Sequence, residues 1–353
     1  MRGVYIHIPF CKEICSYCDF CKLYKNDDLI EKYLEALEKE VEKYYMNDKV
    51  KTIYVGGGTP SCLNKKELEK LFTIIDKFKI SKNAEITFEC NISDITLPLL
   101  KLISKKGVNR LSIGIESFNK KFLDIMHRSY MDVNKKMKMV KKYFKNVNAD
   151  LIYGLNNETI DDLEEELDKI LKLNLKHISI YSLILEKNTL LSINNYKEID
   201  NDMSRTMYDI ITKKLKENGY IHYEISNFAK PNYYSRHNMI YWNNMEYYGF
   251  GLGASGFVNN KRYTITRSLN NYLNDFKRVE EYEVTEKENM ENEMILGLRK
   301  TKGVSKSRFY HKYGKKIEDV FNVKNLSFNK NNYYIPEKYL YVSNFILEDF
   351  VDI

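Results

Sequence analysis

The chain has 353 residues, of which 43% are hydrophobic, and its 56 basic and 49 acidic residues leave a net charge of +7. That length accommodates one large domain and a small one. No run of about 18 apolar residues occurs, so no membrane span is expected. The start, Met1-Arg2-Gly3-Val4-Tyr5-Ile6, lacks the long apolar stretch and small-residue cleavage site of a secretory signal, and thiols that stay reduced point to a cytoplasmic setting. The basic excess does not point to nucleic acid: lysines alternate with glutamates, as in Leu37-Glu38-Lys39-Glu40-Val41-Glu42-Lys43, and no basic block is present.

In chain order, Gly3–Ile8 reads as a strand and Asp27–Tyr45 as an amphipathic helix. Thr52–Val55 is a short apolar strand running into glycines, followed by a helix over Lys65–Phe78. Ala84–Glu89 is a strand with a short helix after Thr96. Asn109–Ile115 is a strand, with helices over Lys120–His127 and Val133–Phe144. Val147–Tyr153 is a strand, and Thr159 with Asp162 forms a capping box for a helix ending near Leu173. His177–Leu183 is a strand and Asp200–Asn218 a helix. Six strand-then-helix units call for a parallel sheet with outer helices: an α/β fold, a partial (βα)6 barrel. The expected division is a barrel over 1–225, an aromatic and glycine-rich connecting region over 226–284 that completes the active-site side, and a small helix-rich C-terminal domain over 285–353, closing with an apolar helix around Val342–Phe350.

In such folds chemistry collects at the C-terminal ends of the strands. Cys11, Cys15, Cys18 and Cys21 follow the first strand, Gly56-Gly57-Gly58-Thr59 follows the second, and Glu89 ends the third. Glu116 lies past the fourth, and Asp150 near the end of the fifth. Clustered thiols in one loop point to a metal site, and C-x3-C-x2-C suits a cubane iron–sulfur cluster ligated by three cysteines, which leaves one iron open. Structural zinc is the competing reading, but it usually draws on paired C-x2-C or distant histidines. Cys21 reads as a small residue beside the cluster, and Cys62 and Cys90 as buried ones. Glu89 and Asp150 are charges in apolar strands, where an unpaired charge is costly. Arg128 suits a carboxylate, and the glycines allow close backbone approach to a ligand. His237-Asn238-Met239-Ile240-Tyr241-Trp242 reads either as a packed aromatic corner or as the source of an axial heme ligand.

These motifs together resemble the radical S-adenosylmethionine superfamily, in its oxygen-independent coproporphyrinogen III oxidase-like family, and most of all the HemW-type heme chaperones. The carriers are Tyr5-Ile6-His7-Ile8-Pro9-Phe10-Cys11, Tyr17-Cys18-Asp19-Phe20, Gly56–Ser61, Gly107–Gly114, Asp150–Leu155, Tyr223–Ala229 and His237–Trp242. The resemblance implies that Cys11, Cys15 and Cys18 ligate a 4Fe–4S cluster. It implies that Tyr5, Tyr17, Gly57, Gly58, Thr59, Glu89, Glu116, Arg128 and Asp150 contact S-adenosylmethionine, that reduction of the cluster cleaves the sulfonium, and that His237 handles heme. Glu116 stands where the family usually has glutamine, Asn91-Ile92 where it has Asn-Pro, and Asn156-Asn157 where it has Pro-Gly. The loop Gly251–Ser255 lacks the usual Pro and His.

Three functions compete: a heme chaperone for hemoprotein maturation, an oxygen-independent coproporphyrinogen dehydrogenase in porphyrin biosynthesis, and a radical enzyme on another substrate. The related dehydrogenases carry an N-terminal extension and a Cys-x-Cys ending to the cluster motif. Here Cys11 follows only ten residues, and Cys18-Asp19-Phe20 follows the chaperone pattern. The expected partners are heme and a hemoprotein client, with an electron donor for the cluster, no nucleic acid, no membrane span, and at most peripheral contact with a client in the membrane.

Overall fold

The structure, a computed structural model, describes residues 2–351. Six parallel strands form its centre: β1 (Arg2–Ile8), β2 (Lys49–Gly57), β3 (Lys79–Asn91), β4 (Arg110–Glu116), β5 (Asn146–Tyr153) and β6 (His177–Ser182), paired in that order. Helices cover the outside: α1 (Asp27–Tyr44), α2 (Lys65–Ile75), α3 (Leu97–Lys105), α4 (Lys120–Ile125), α5 (Val133–Val140), α6 (Ile160–Lys172) and α7 (Asn201–Glu217). This is the α/β partial barrel that the alternating pattern calls for. The strands alternate: apolar residues such as Ile53, Val55, Leu111, Ile113 and Ile178 are buried in the core, while Arg110, Ser112, Asn148, Asp150 and Ser179 face the barrel interior. In α1, Asn26 caps the Leu29 N–H, and Ile30, Tyr33, Leu34, Leu37 and Val41 recur at helical spacing to form the buried stripe. The capping box of Thr159 and Asp162 starts α6. No helix among the described residues is long and apolar enough to cross a membrane.

The sheet extends beyond the six strands at both ends. At the β6 edge, β7 (Ile221–Glu224) and β8 (Asn227–Ala229) add an antiparallel pair. At the β1 edge, β9 (Tyr247–Phe250) runs parallel to β1, and β10 (Ser255–Val258), β11 (Lys261–Ile265) and β12 (Arg278–Glu283) follow antiparallel. The segment read as an aromatic, glycine-rich connection is thus largely strand. Its aromatic residues are good strand formers, and Asn259-Asn260 turns the β10–β11 hairpin with both residues left-handed, φ 52° and 60°. Gly249 is required where β9 meets β10, since a Cβ there would lie 1.9 Å from the Ser255 carbonyl oxygen.

The C-terminal region has its own core, from Met290 and Met294 through Phe309 and Phe321 to Phe350. Helices Glu286–Gly297 and Lys306–Tyr313 accompany a small antiparallel sheet of Val304–Ser305, Asn332–Tyr334 and Ser327–Phe328. The expected final helix is broken into 3-10 turns at Glu337–Val342 and Glu348–Phe350 around a short α-turn at Ser343–Leu347. Val342 stands at the cap of that turn and offers no side-chain acceptor.

Candidate functional site

The strand ends enclose a cavity of about 510 Å³, lined by Cys11, Cys15, Tyr17, Cys18, Gly57, Gly58, Thr59, Glu89, Glu116, Arg128 and Asp150. Tyr5 and His237 open instead into an adjoining cavity of about 580 Å³, which shares Tyr54, Glu89 and Asn238 with the first. Cys21 lines this second cavity and not the first, so the four thiols divide between two spaces.

The cysteine loop is a closed excursion from β1. Leu23 N–H returns to the Pro9 carbonyl at 2.7 Å and Lys25 N–H to the Cys11 carbonyl at 2.8 Å. The buried Ser16 anchors its middle, donating its hydroxyl to the Ile125 carbonyl (2.7 Å) and its N–H to that of Met126 (3.1 Å) at the end of α4. Lys12 pairs with the buried Asp94 at 2.6 Å. Burial, reinforced by neighbouring Cys18 and Cys15, pushes the Cys11 thiol up to about 11, and burial also raises Cys18. Binding iron at these thiols therefore releases protons. Among the described residues no three His, Cys, Asp or Glu side chains converge as ligands of one ion. A cubane spreads its thiolates over separate irons, and three adjacent thiols of one loop lining this cavity fit that donor set.

The triple glycine is explained by what it touches. A Cβ on Gly56 would lie 2.6 Å from Glu89 Oε2, on Gly57 2.6 Å from the His7 ring, and on Gly58 2.7 Å from the Pro9 carbonyl and 2.9 Å from Cys11 Sγ. The turn is therefore compressed against the cysteine loop. Gly58 and Thr59 donate their N–H groups to the Ile8 and Phe10 carbonyls, each at 2.8 Å, and the Thr59 hydroxyl reaches Cys11 Sγ at 3.4 Å.

Three carboxylates face the same space. Glu89 accepts from the Tyr54 hydroxyl (2.6 Å) and the Gly57 N–H (3.0 Å). Asp150 accepts from Asn148 Nδ2 (2.8 Å) and the Ser112 hydroxyl (3.2 Å). Glu116 shares the cavity face of β4 with Arg110, Ser112 and Gly114, and a bulge precedes it: Gly114 faces Asp150, but Ile115 and Glu116 together face Leu151, and Glu116 adopts φ 66°. Burial first, and then repulsion from Asp150, pushes both Glu89 and Glu116 up to about 7, and burial also raises Asp150. Arg128 knits the rim together. It lies 3.5 Å from Glu116 Oε1 and donates to Cys15 Sγ (3.2 Å), the Tyr17 hydroxyl (3.4 Å), Asn91 Oδ1 (3.1 Å) and the Gly114 carbonyl (2.9 Å). Crowded carboxylates that hold each other protonated are relieved by a cationic ligand.

His237 is buried, with Nδ1 sharing a hydrogen bond with the Thr52 hydroxyl at 2.8 Å and Nε2 with the Tyr241 hydroxyl at 2.7 Å. Burial depresses its imidazole to about 3, which keeps it neutral. His7 Nε2–H donates to the Cys21 carbonyl at 2.7 Å, which leaves its Nδ1 to accept from the Tyr5 hydroxyl at 3.0 Å. Sequence reasoning passed over Tyr54 and Asn91, which hold Glu89 and Arg128. The available signal for Tyr54 was strand alternation, which sets Thr52, Tyr54 and Gly56 on one face of β2. Asn91 Oδ1 also caps the Ser93 N–H, so the departure from Asn-Pro leaves its contact with Arg128 in place. Asn157 takes φ 63°, a left-handed position that asparagine tolerates nearly as glycine does.

The radical SAM superfamily pattern matches residues 5–170, and the HemN C-terminal domain matches residues 284–328. The chain is 36% identical to the heme chaperone HemW of Lactococcus lactis, over 99% of this chain and 97% of that one. It is 38% identical to the heme chaperone HemW of Bacillus subtilis, over 91% and 89% respectively. Its fold superposes on coproporphyrinogen III oxidase (HemN) from Escherichia coli with a TM-score of 0.87, covering 99% of this chain and 90% of that one, at 19% identity. Near full-length identity above one third, joined to the superfamily pattern over the cysteine loop and the strands behind it, shows that the chain belongs to the HemW family of radical SAM proteins.

Proposed function

We propose that this protein is a heme chaperone on a radical SAM scaffold, loading heme into a hemoprotein client. Cys11, Cys15 and Cys18 would hold a 4Fe–4S cluster, which supplies an open iron site and an electron when bound. Tyr17, Gly57, Gly58, Thr59, Glu89, Glu116, Arg128 and Asp150 would hold S-adenosylmethionine, with Tyr5 acting from the adjoining cavity. The observation carrying this reading is the co-location of three thiols, three inward-facing carboxylates and Arg128 around one cavity in a chain that matches HemW chaperones over nearly their full length. The carboxylates suit the sulfonium charge, and Arg128 is the cation that balances Glu116. His237 is the heme-ligand candidate. It faces the second cavity, and its Nε2 would exchange the Tyr241 hydroxyl for iron. The barrel over 1–225, the connecting region over 226–284 and the C-terminal domain over 285–353 serve as the working division of the chain.

The test is heme titration of the anaerobically reconstituted protein beside a coproporphyrinogen III assay. Stoichiometric heme binding, weakened in His237→Ala, is expected. Conversion of coproporphyrinogen III at useful turnover with no heme bound would overturn the chaperone reading in favour of the dehydrogenase.

A further inference from the structure

The first cavity has a second charged end that the proposed ligand set does not use. Arg110 opens β4, whose far end carries Glu116, and the strand rise separates their Cα atoms by about 20 Å. The Arg110 side chain is among the largest fully buried ones, and it lines the cavity. Its Nε has no hydrogen-bond partner, and the guanidinium takes part in no ion pair among the described residues, whereas Arg128 pairs with Glu116. Glu89 and Asp150 feel its charge without meeting it.

The polar side chains around it supply no charge to meet it: Thr87 and Asn146, its partners across the sheet, offer only neutral oxygens that are themselves without hydrogen-bond partners, and the others bond largely to one another. Asn148 Oδ1 accepts from His177 Nδ1 (2.6 Å), and its amide donates to the Ser112 hydroxyl (2.8 Å). Asn227 Oδ1 accepts from Ser179 at 2.6 Å. A buried guanidinium without a partner is a large cost unless an anion meets it. Its planar fork matches a carboxylate in two parallel hydrogen bonds.

We infer that Arg110 is the floor of a carboxylate subsite: it receives a ligand carboxylate that enters the cavity past the acidic wall. The site is polarised, with carboxylates and thiols toward the rim and an unpaired cation at the bottom. Two ligands of the proposed function carry such a group, S-adenosylmethionine through its methionyl carboxylate and heme through its propionates. The inference rests on that proposed function.

The experiment uses the reconstituted protein and four probes: S-adenosylmethionine, its decarboxylated analogue, heme, and heme dimethyl ester. Wild type is expected to favour the acid of one pair over its carboxylate-free counterpart by roughly tenfold or more, the range of a charge-assisted hydrogen bond. Arg110→Met should erase that preference while leaving the counterpart's affinity unchanged, and Arg110→Lys should restore part of it. The pair in which the preference collapses names the source. Equal binding within both pairs by wild type overturns the inference without any variant, so a misfolded Arg110→Met does not shelter it. It is equally overturned if Arg110→Met keeps the preference, which leaves Arg110 solvated inside the cavity, or weakens all four probes alike, which makes it structural. Wild type that binds neither S-adenosylmethionine nor heme defeats the proposed function itself.

Discussion

Glu116→Gln offers the sharpest test of the acidic wall. Glu116 is buried at the end of β4 on its cavity face, where it meets Arg128, Asp150 and Tyr17. Its carboxyl is raised to about 7, by burial first and by Asp150. It is therefore mostly protonated at pH 6 and mostly ionised at pH 8. A unit charge about 7 Å from a cationic ligand is worth about 2 kcal/mol at an effective dielectric of about 20, or roughly 30-fold in affinity. Glutamine removes that charge and leaves Arg128 unbalanced, which acts in the same direction. S-Adenosylmethionine binding by calorimetry on the reconstituted protein should thus tighten in wild type as pH rises from 6 to 8. Glu116→Gln should lose affinity at pH 8 by about one order of magnitude or more, lose only a few-fold at pH 6, and show a flatter pH profile. Glu89, also raised to about 7, remains in the variant and keeps some of the slope. Equal affinity of the two proteins at pH 8, or wild-type binding that weakens as pH rises, would refute the reasoning.

Gly58→Ala places a methyl 2.7 Å from the Pro9 carbonyl and 2.9 Å from Cys11 Sγ, so iron and sulfide per chain should fall well below wild type after reconstitution, while far-UV circular dichroism stays unchanged; full cluster content would show that the turn yields. Glu40 is buried in α1, where one carboxylate oxygen accepts from the Tyr272 hydroxyl (2.7 Å) and the Gly251 N–H (2.9 Å), and burial raises its carboxyl to about 7. An acid raised in the folded state contributes stability fully below its unfolded value of 4.5 and loses it as pH rises through 7. Glu40→Gln keeps an acceptor for both donors, so Tm should match wild type near pH 5 and exceed it at pH 8 by about 2–4 °C; a gap that does not change with pH counts against a buried, titrating Glu40. Asn157→Ala should cost about 1 kcal/mol in denaturant unfolding because alanine resists the left-handed φ of 63°, whereas Asn157→Gly should be close to neutral.

The cysteine loop, the six strand–helix units and the carboxylates Glu89 and Asp150 were legible in sequence because each rests on a local rule, whereas Glu116 and Arg128 came only with the family resemblance. Thiol spacing, apolar periodicity and charges set into apolar strands are all visible one segment at a time. What escaped was pairing at a distance. Tyr5 sits only six residues before Cys11, yet β-alternation and the approach of β9 turn it into the other cavity. His237 reads equally as ligand or packed residue, and only the fold shows Thr52 and Tyr241 on its two nitrogens. The strands over 247–283 carried a readable sign in Asn259-Asn260, a dipeptide suited to two successive left-handed residues.

Arg110 marks the limit of that local legibility. It lies inside the motif Asn109-Arg110-Leu111-Ser112, where an arginine opening a strand reads as an ordinary surface or paired charge. Its distinction is negative: it makes no ion pair among the described residues, its Nε has no hydrogen-bond partner, and the carboxylates of Glu89 and Asp150 are held by Tyr54, Gly57, Asn148 and Ser112 instead. Residue identities and spacing cannot express that, because it depends on six strands and β8 closing around one side chain. Glu116 presents the converse case, a change of residue type visible in sequence whose consequence is not. Alternation along β4 sets it on the cavity face with Arg110, Ser112 and Gly114. It sets a carboxyl raised by burial where glutamine would have been neutral, so the charge of this cavity varies across the pH range in which a cationic ligand must bind.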